Sequence, residues 1–349
     1  MTKGSIVIAW NKPIAITNYK NIENTDSIKD LIGVTAQPQN EKDIGEYLLF
    51  IDGSVINMEE NLDALYKKIG FCATFAGGGA GEIPTEASPC IITNEGLLEN
   101  TMQTIATNHK SQTTITHGWE KQSGPHLVTA SKKTKIKSLD YESIISFYKR
   151  HNTKFGNHRA DHTKFSSFFQ SYLVGIEKLD GEVLIRDPFK HSEKSINYIG
   201  NIPEYSQVQI LGGTKDSSRG KVDQELTDLN LKEEKNIDAT FIFNCVDRDD
   251  ADHNGFSKEL KMLNKHLPGS KHIIGAQTIG EIATSESRLL HLHSKTIVIS
   301  RLVHLVRYLK LKNSLKFFKK PIFRANDSRI LFSFFCIPQR YTCFHRLGI

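Results

Sequence analysis

The sequence predicts a mixed α/β (α+β) fold in two similar halves, each a mixed sheet with packed helices, the two related by an internal repeat. Three observations carry this. Tyr47 to Gly53 (YLLFIDG) and Thr240 to Arg248 (TFIFNCVDR) are apolar strand segments that run into a turn. A polar loop follows each, and then a helix with one apolar stripe. Met58, Leu62, Leu65 and Ile69 mark the first; Phe256, Leu260, Leu263 and Leu267 mark the second at a constant offset of 198. After each helix comes a short apolar strand (FCATFAG; HIIGA) and a Gly-Glu-Ile triplet, Gly81 to Ile83 and Gly280 to Ile282. Strand, helix and strand in that order imply a parallel crossover in each half.

The elements between the two units read as strands and turns. Cys90 to Thr93 leads into a turn at Asn94-Glu95-Gly96, and Thr113 to Ile115 and Leu127 to Thr129 are β-type runs. The stretch YLVGIEKLDGEVLIRD reads as a hairpin about Asp180-Gly181. Tyr141 to Arg150 carries helix signals, and the polar run from His151 to Thr163 is the best linker. A chain of 349 residues suits two domains, placed at 1–155 and 156–302, with a distinct tail at 303–349.

Charge is concentrated in that tail. Ten of the 45 Lys and Arg lie in it against one of the 39 acids, so the first 302 residues hold 35 basic and 38 acidic side chains, a net of −3. The overall +6 therefore points to no nucleic-acid partner for the body of the protein. The tail also carries 7 of the 19 Phe with no sustained period, and reads as a membrane-surface anchor, the stump of a following domain, or residues of an aberrant frame. No run of ~18 apolar residues predicts a membrane span, and the first residues lack the layout of a secretory signal. Five cysteines without a Cys-x-x-Cys pair fit neither a disulfide framework nor a zinc ribbon, which places the chain in a reducing cytoplasm.

Several motifs carry candidate chemistry. Asp250, Asp252 and Asn254 with Gly255 look like the first half of a calcium loop, but the position for the bidentate Glu is Lys261, and the same residues suit helix caps. No metal site is expected. The run Gly77 to Gly81 lacks the Gly-Lys-Ser/Thr ending of a phosphate cradle, as does Gly212-Gly213-Thr214-Lys215; a tight approach of two backbones explains the first better. Cys245, at a strand end with Arg248 three residues on, fits either a low-pKa nucleophile or a small buried side chain. His117-Gly118-Trp119 fits a small-molecule pocket wall or an axial haem ligand, against a purely structural role.

Taken in order, these segments resemble the FIST family, which pairs N- and C-terminal FIST domains in bacterial sensory proteins and some eukaryotic F-box proteins. The carrying residues are YLLFIDG, GGGAGE, HGW with Pro125, Val128-Thr129 and Leu139-Asp140. Further along they are Ile185-Arg186-Asp187, Cys245 with Arg248, GAQTIGEI (Gly275 to Ile282), and Leu292-His293 with Thr296. Two departures stand out: the family's earlier strand, helix and Gly-Cys-Thr-Thr-Ala-Gly-Glu-like turn has no counterpart here, and Leu-His-Asn-x-Thr is Leu292-His293-Ser294-Lys295-Thr296. The resemblance implies a small-ligand sensory module, with amino acids among the proposed ligands. It feeds an output protein or a lost output domain, namely a kinase, a chemoreceptor or a cyclic-di-nucleotide enzyme. Some relatives are haem-based nitric oxide sensors, so haem is the alternative cofactor, and an enzyme using Cys245 is the alternative from another class.

Duplicated α/β halves leave a cleft at the strand C-ends, where ligands sit. The expected ligand-binding residues are Cys245, Arg248, Gly275, Thr278, Gly280 and Glu281, with Glu82, His117 and Trp119. Arg248 and Glu281 would supply the cationic and anionic partners of an amino-acid-like ligand.

Overall fold

The fold is known from a computed structural model that describes residues 5–10, 15–23, 45–70, 73–81, 88–107, 109–155, 172–178, 181–231, 237–249, 255–303, 330–335 and 344–347. The chain opens with β1 (Ser5–Trp10) and β2 (Ala15–Lys20), and then forms the first βαβ unit: β3 (Glu46–Asp52), α1 (Met58–Ile69) and β4 (Thr74–Ala80). A small hairpin of β5 (Ile91–Thr93) and β6 (Gly96–Leu98) precedes β7 (Thr101–Thr107), β8 (Lys110–Thr116), the long β9 (Glu120–Lys132), β10 (Lys135–Leu139), β11 (Glu142–Ser143) and α2 (Ile144–Phe155). The expected hairpin at Asp180-Gly181 is β12 (Tyr172–Glu177) against β13 (Val183–Arg186), followed by β14 (Pro188–His191), β15 (Ile196–Tyr198), β16 (Gln207–Gly212) and α3 (Lys215–Asp228). The second βαβ unit is β17 (Ile237–Cys245), a 3-10 turn at Val246–Arg248, α4 (Gly255–His266) and β18 (Ser270–Thr278). Then come β19 (Glu281–Thr284), β20 (Leu290–His293), β21 (Ile297–Val303), β22 (Ile330–Phe335) and β23 (Phe344–Leu347).

Each βαβ unit is a parallel pair, β3 with β4 and β17 with β18, inside a mixed sheet. The first sheet runs β2-β7-β3-β4-β19-β20 and the second β23-β18-β17-β21-β8. A third runs β13-β12-β16-β9-β10-β15-β14, with β11 beside β10. All three draw strands from both sides of residue 155: β19 and β20 complete the first, β8 completes the second, and β9 to β11 sit in the third. Most of the candidate linker, and residues 304–329 and 336–343 of the tail, lie outside the described residues. Of the tail, β22 pairs with β1 and β23 with the edge of β18.

Alternation along the strands decides the layering. Leu48, Ala76 and Ile105 of the first sheet face Phe241, Phe243, Ile274 and Val298 of the second. Their neighbours Leu49, Ile51 and Phe75 turn the other way, onto the Leu62 and Leu65 stripe of α1. On the far side Ile242, Ile273 and Ile299 meet Val222 and Leu226 of α3 and Met262 and Leu263 of α4. Two sheets are thus stacked between outer helices, and most of each predicted stripe is buried; Ile69 and Leu260 are only half-buried, and Glu259 and Met262 take the buried positions beside Leu260. Each fully buried Leu or Phe contributes about 1.5–3 kcal/mol. The third sheet buries Phe147 and Tyr148 of α2 against Val128 and Val208.

A buried acidic side chain bridges the stacked sheets. Glu46, fully buried at the start of β3, accepts the Ser300 hydroxyl of β21 at 2.6 Å. Burial lifts its carboxyl to about 7, and the Ser300 bond only partly counters that. Among the described residues no helix is long and apolar enough to cross a membrane.

The glycine run of β4 allows a backbone approach that no other residue permits. A Cβ on Gly77 would land on the Leu49 carbonyl oxygen, and one on Gly79 on the Ile279 carbonyl oxygen. Gly77→Ala is therefore expected to lower stability by roughly 1–3 kcal/mol or more. Gly220→Ala, exposed in α3 with nothing within 4 Å of the new Cβ, is expected to raise it by up to ~1 kcal/mol. Urea denaturation of the two variants reads both signs.

A second expectation concerns pH. Glu46 binds its proton more tightly folded (about 7) than its ordinary 4.5, so its contribution is complete below about 4.5 and is lost as pH rises through about 7. Urea midpoints should fall across that window, and Glu46→Gln should flatten the fall; an unchanged slope would remove Glu46 from the account.

Candidate functional site

The site is built where β17 and β18 end together. Cys245 and Thr278 are register partners at the C-terminal ends of the parallel pair, so the segments that follow leave from one edge. Glu281, fully buried at the start of β19, accepts the Thr278 hydroxyl at 2.8 Å and the Thr296 amide at 3.2 Å, with the Cys245 thiol also bonded to it. Burial pushes the Glu281 carboxyl well up. It pushes the Cys245 thiol well up too, with Glu281 and Asp247 adding to the shift. A nucleophilic cysteine needs the opposite, a depressed pKa in electropositive surroundings.

Arg248 is 2% exposed and pairs with Glu259 of α4, its Nε and Nη2 at 2.9 and 2.8 Å from Oε1. Its Nη1 donates to the carbonyls of His117 and Lys295 at 2.8 and 2.9 Å. Asn244 completes Glu259 with a 2.6 Å bond to Oε2. One guanidinium therefore ties α4, the loop after β8 and the β20–β21 turn into a single frame.

On that frame sits a second charged group. The Trp119 indole donates to the Lys295 carbonyl at 3.4 Å, and Lys295 Nζ lies 5.9 Å above the Trp119 ring. Lys295 Nζ is 3.3 Å from Asp187 Oδ2, and both side chains are buried. Asp187 is also bonded to Asp247, which is only half-buried, and its Oδ1 has no partner. Burial, then Asp247, lifts the Asp187 carboxyl to about 7 against the pull of Lys295. Burial works to lower the Lys295 ammonium, but Asp187, Asp247 and Cys245 together hold it above its ordinary value.

Cys245, Arg248, Thr278, Gly280 and Glu281 gather at this edge, and His117 and Trp119 join it through Arg248 and Lys295. Gly280 turns the chain there, its carbonyl accepting the Gly79 amide at 3.0 Å. Gly275 lies in β18 three residues before Thr278, opposite Ile242. Glu82 lies outside the described residues, as do Asp250 to Asn254 of the calcium-like loop. Asp249 Oδ1 accepts the Phe256 amide of the first turn of α4 at 2.9 Å. Thr214 caps α3 in a capping box with Ser217, and Lys215 reaches the Asp249 carbonyl. Among the described residues no group of three or more His, Cys, Asp or Glu is placed to hold a metal.

The surroundings of His117 do not fit a haem. Its Nδ1 accepts the Trp119 amide at 2.9 Å, and Arg248 and the Ser218 hydroxyl clasp its carbonyl. A Cβ on Gly118 would land on the Ser218 backbone, so polar chain closes in where a flat porphyrin needs apolar walls. Burial, then Arg248, lowers the ring to about 4.

Sequence reasoning missed Lys295, Asp187 and Asp247 as site residues. The signals present were the Arg186-Asp187 pair after a strand and Lys295 between His293 and Thr296; nothing in the sequence says that they meet.

Residues 8–142 match the model of the FIST N domain, and residues 146–284 that of the FIST C domain. No curated protein matches the chain.

The Arg248 frame gives a test of its own. Glu259→Ala leaves the buried guanidinium without its counter-charge and is expected to cost about 3–5 kcal/mol in urea unfolding. A loss below ~1 kcal/mol would show that the carbonyls alone hold Arg248.

Proposed function

The chain belongs to the FIST family, whose N and C domains it carries in tandem and which are sensory domains of signalling proteins, and from that premise we propose that it binds a small zwitterion of the amino-acid class at Asp187, Asp247 and Lys295 beside Trp119. The observation that carries this is the unpartnered, buried Asp187 Oδ1 next to a lysine. A buried carboxylate oxygen without a hydrogen bond is costly, and a ligand ammonium supplies the missing donor. Lys295 turns to the ligand carboxylate, Trp119 gives the flat apolar wall, and half-buried Asp247 opens the cluster to solvent. Cys245, Arg248, Thr278 and Glu281 back this edge and set its shape.

The family's sensory role calls for a binding module rather than a catalyst, and the raised Cys245 thiol supports the same reading. On it, occupancy passes to an output protein of the kinase, chemoreceptor or cyclic-di-nucleotide class. The two βαβ units, alike in strand order and stripe, are read as products of one duplication.

Isothermal titration with each common amino acid, and with simple amines and carboxylates as controls, tests the site. Saturable binding is expected for one or a few amino acids, weaker for either half-ligand. Asp187→Asn should weaken it ten- to a hundredfold, as fits one charge-assisted bond of roughly 1.5–3 kcal/mol, with unchanged circular dichroism. Equal affinity in a folded Asp187→Asn protein would move the ligand elsewhere.

A further inference from the structure

Ser123, His126 and Asp140 form a hydrogen-bonded relay on the third sheet. The Ser123 hydroxyl is 2.8 Å from His126 Nε2, and His126 Nδ1 is 2.7 Å from Asp140 Oδ2. The other carboxylate oxygen accepts the Leu127 amide at 2.8 Å, while the Asp140 amide donates to the Leu127 carbonyl at 2.9 Å, which clamps the acid to the strand. Burial works against the Asp140 charge, but the Leu127 amide, His126 and Arg150 hold its carboxyl below the ordinary value. An ionised carboxylate only accepts, so Nδ1 carries the imidazole proton and Nε2 is left as the acceptor for the serine hydroxyl.

Regular strand geometry would separate these groups. Residues three apart on a strand point to opposite faces. Here the ladder with β16 pairs His126 with Val208 and Ser123 with Ile210, so β9 advances three residues where its partner advances two. The extra residue is a bulge, with Gly124 at φ 123°, and it turns Ser123 onto the face of His126. The His126 ring is then wedged edge-on to Phe147 at 4.8 Å and to His151 at 5.7 Å, which fixes its plane. Ser123 and His126 are half-buried, and the Asp140 side chain is 43% exposed, so the relay opens to solvent.

We propose that Ser123 is an activated nucleophile that takes the acyl group of small carboxylic esters, with His126 as general base and Asp140 orienting it, an activity additional to sensing and carried by different residues. Ser123 Oγ bonds to the ester carbonyl carbon as its proton passes to His126 Nε2. The carbon–alkoxide bond then breaks, and the alcohol leaves with that proton. Water attacks the acyl-serine, giving its proton to His126; the Ser123 oxygen departs and recovers it, releasing the carboxylic acid. The bulge takes Gly124 out of the ladder, and its N–H is the donor next in the chain to the nucleophile for the oxyanion.

The full chain is incubated with a fluorophosphonate and, separately, with 4-nitrophenyl acetate; adducts are mapped by peptide mass and nitrophenolate release is followed by absorbance. One adduct on Ser123 is expected, absent in Ser123→Ala. Labelling should slow about a hundredfold or more in His126→Gln and at least ~tenfold in Asp140→Asn, with circular dichroism and urea midpoints near those of the parent chain. Adducts spread over other side chains, or an unchanged labelling rate in either folded variant, would reduce the relay to a strut of the hairpin and overturn the proposal.

Discussion

The closeness with which β4 approaches the turn at Ile279–Gly280 governs the rest of the molecule. Gly79 donates to the Gly280 carbonyl at 3.0 Å and accepts the Ile279 amide at 2.9 Å, a pairing with no room for a side chain between the two strands. It seats β19 on the open edge of β4, with Glu281 opposite Gly78. That in turn fixes the Thr278 turn beside the end of β17, and so the place where the buried charges gather. The site is positioned by a backbone contact between segments about 200 residues apart.

Charge then fixes what the backbone has brought together. Arg248 with Glu259, Arg186 with Glu59 and Lys295 with Asp187 are all pairs with little exposure, and the last two join residues more than 100 positions apart. Such pairs add little net stability compared with apolar packing, because desolvation offsets most of the attraction. Their effect is geometric. Arg186 bonds the carbonyls of Leu292 in β20 and of Asn201 as well as Glu59, and Arg248 bonds those of His117 and Lys295, so a strand and the turns around it are held in one arrangement.

What could be read from the sequence was whatever depends on local period. The stripes of α1 and α4, the parallel units and the hairpins at Asn94-Glu95 and Asp180-Gly181 all follow from spacing of 3.6 or 2 and from turn residues. The edge carrying Cys245, Thr278 and Glu281 was legible for the same reason, since one crossover sets both strand ends. Asp187 and Lys295 were not, because their meeting depends on β19 joining the first sheet, which no local pattern encodes. Ser123 and His126 were hidden by the period itself, which assigns residues three apart to opposite faces until a bulge adds one. The glycine run could be read as a close approach, though not what it approaches.

The strand exchange also bears on synthesis. Beta4 is complete once Ala80 is made, but its edge partner begins only at Glu281. At about 5–20 residues per second the edge waits roughly 10–40 s on the ribosome. An unpaired strand edge is a template for pairing with other nascent copies. Here the exposed stretch is Thr-Phe-Ala-Gly-Gly-Gly-Ala, and three successive glycines have poor β-propensity and no side chains to interdigitate. The same residues that let β19 come so close also make β4 a poor partner for any strand that arrives first.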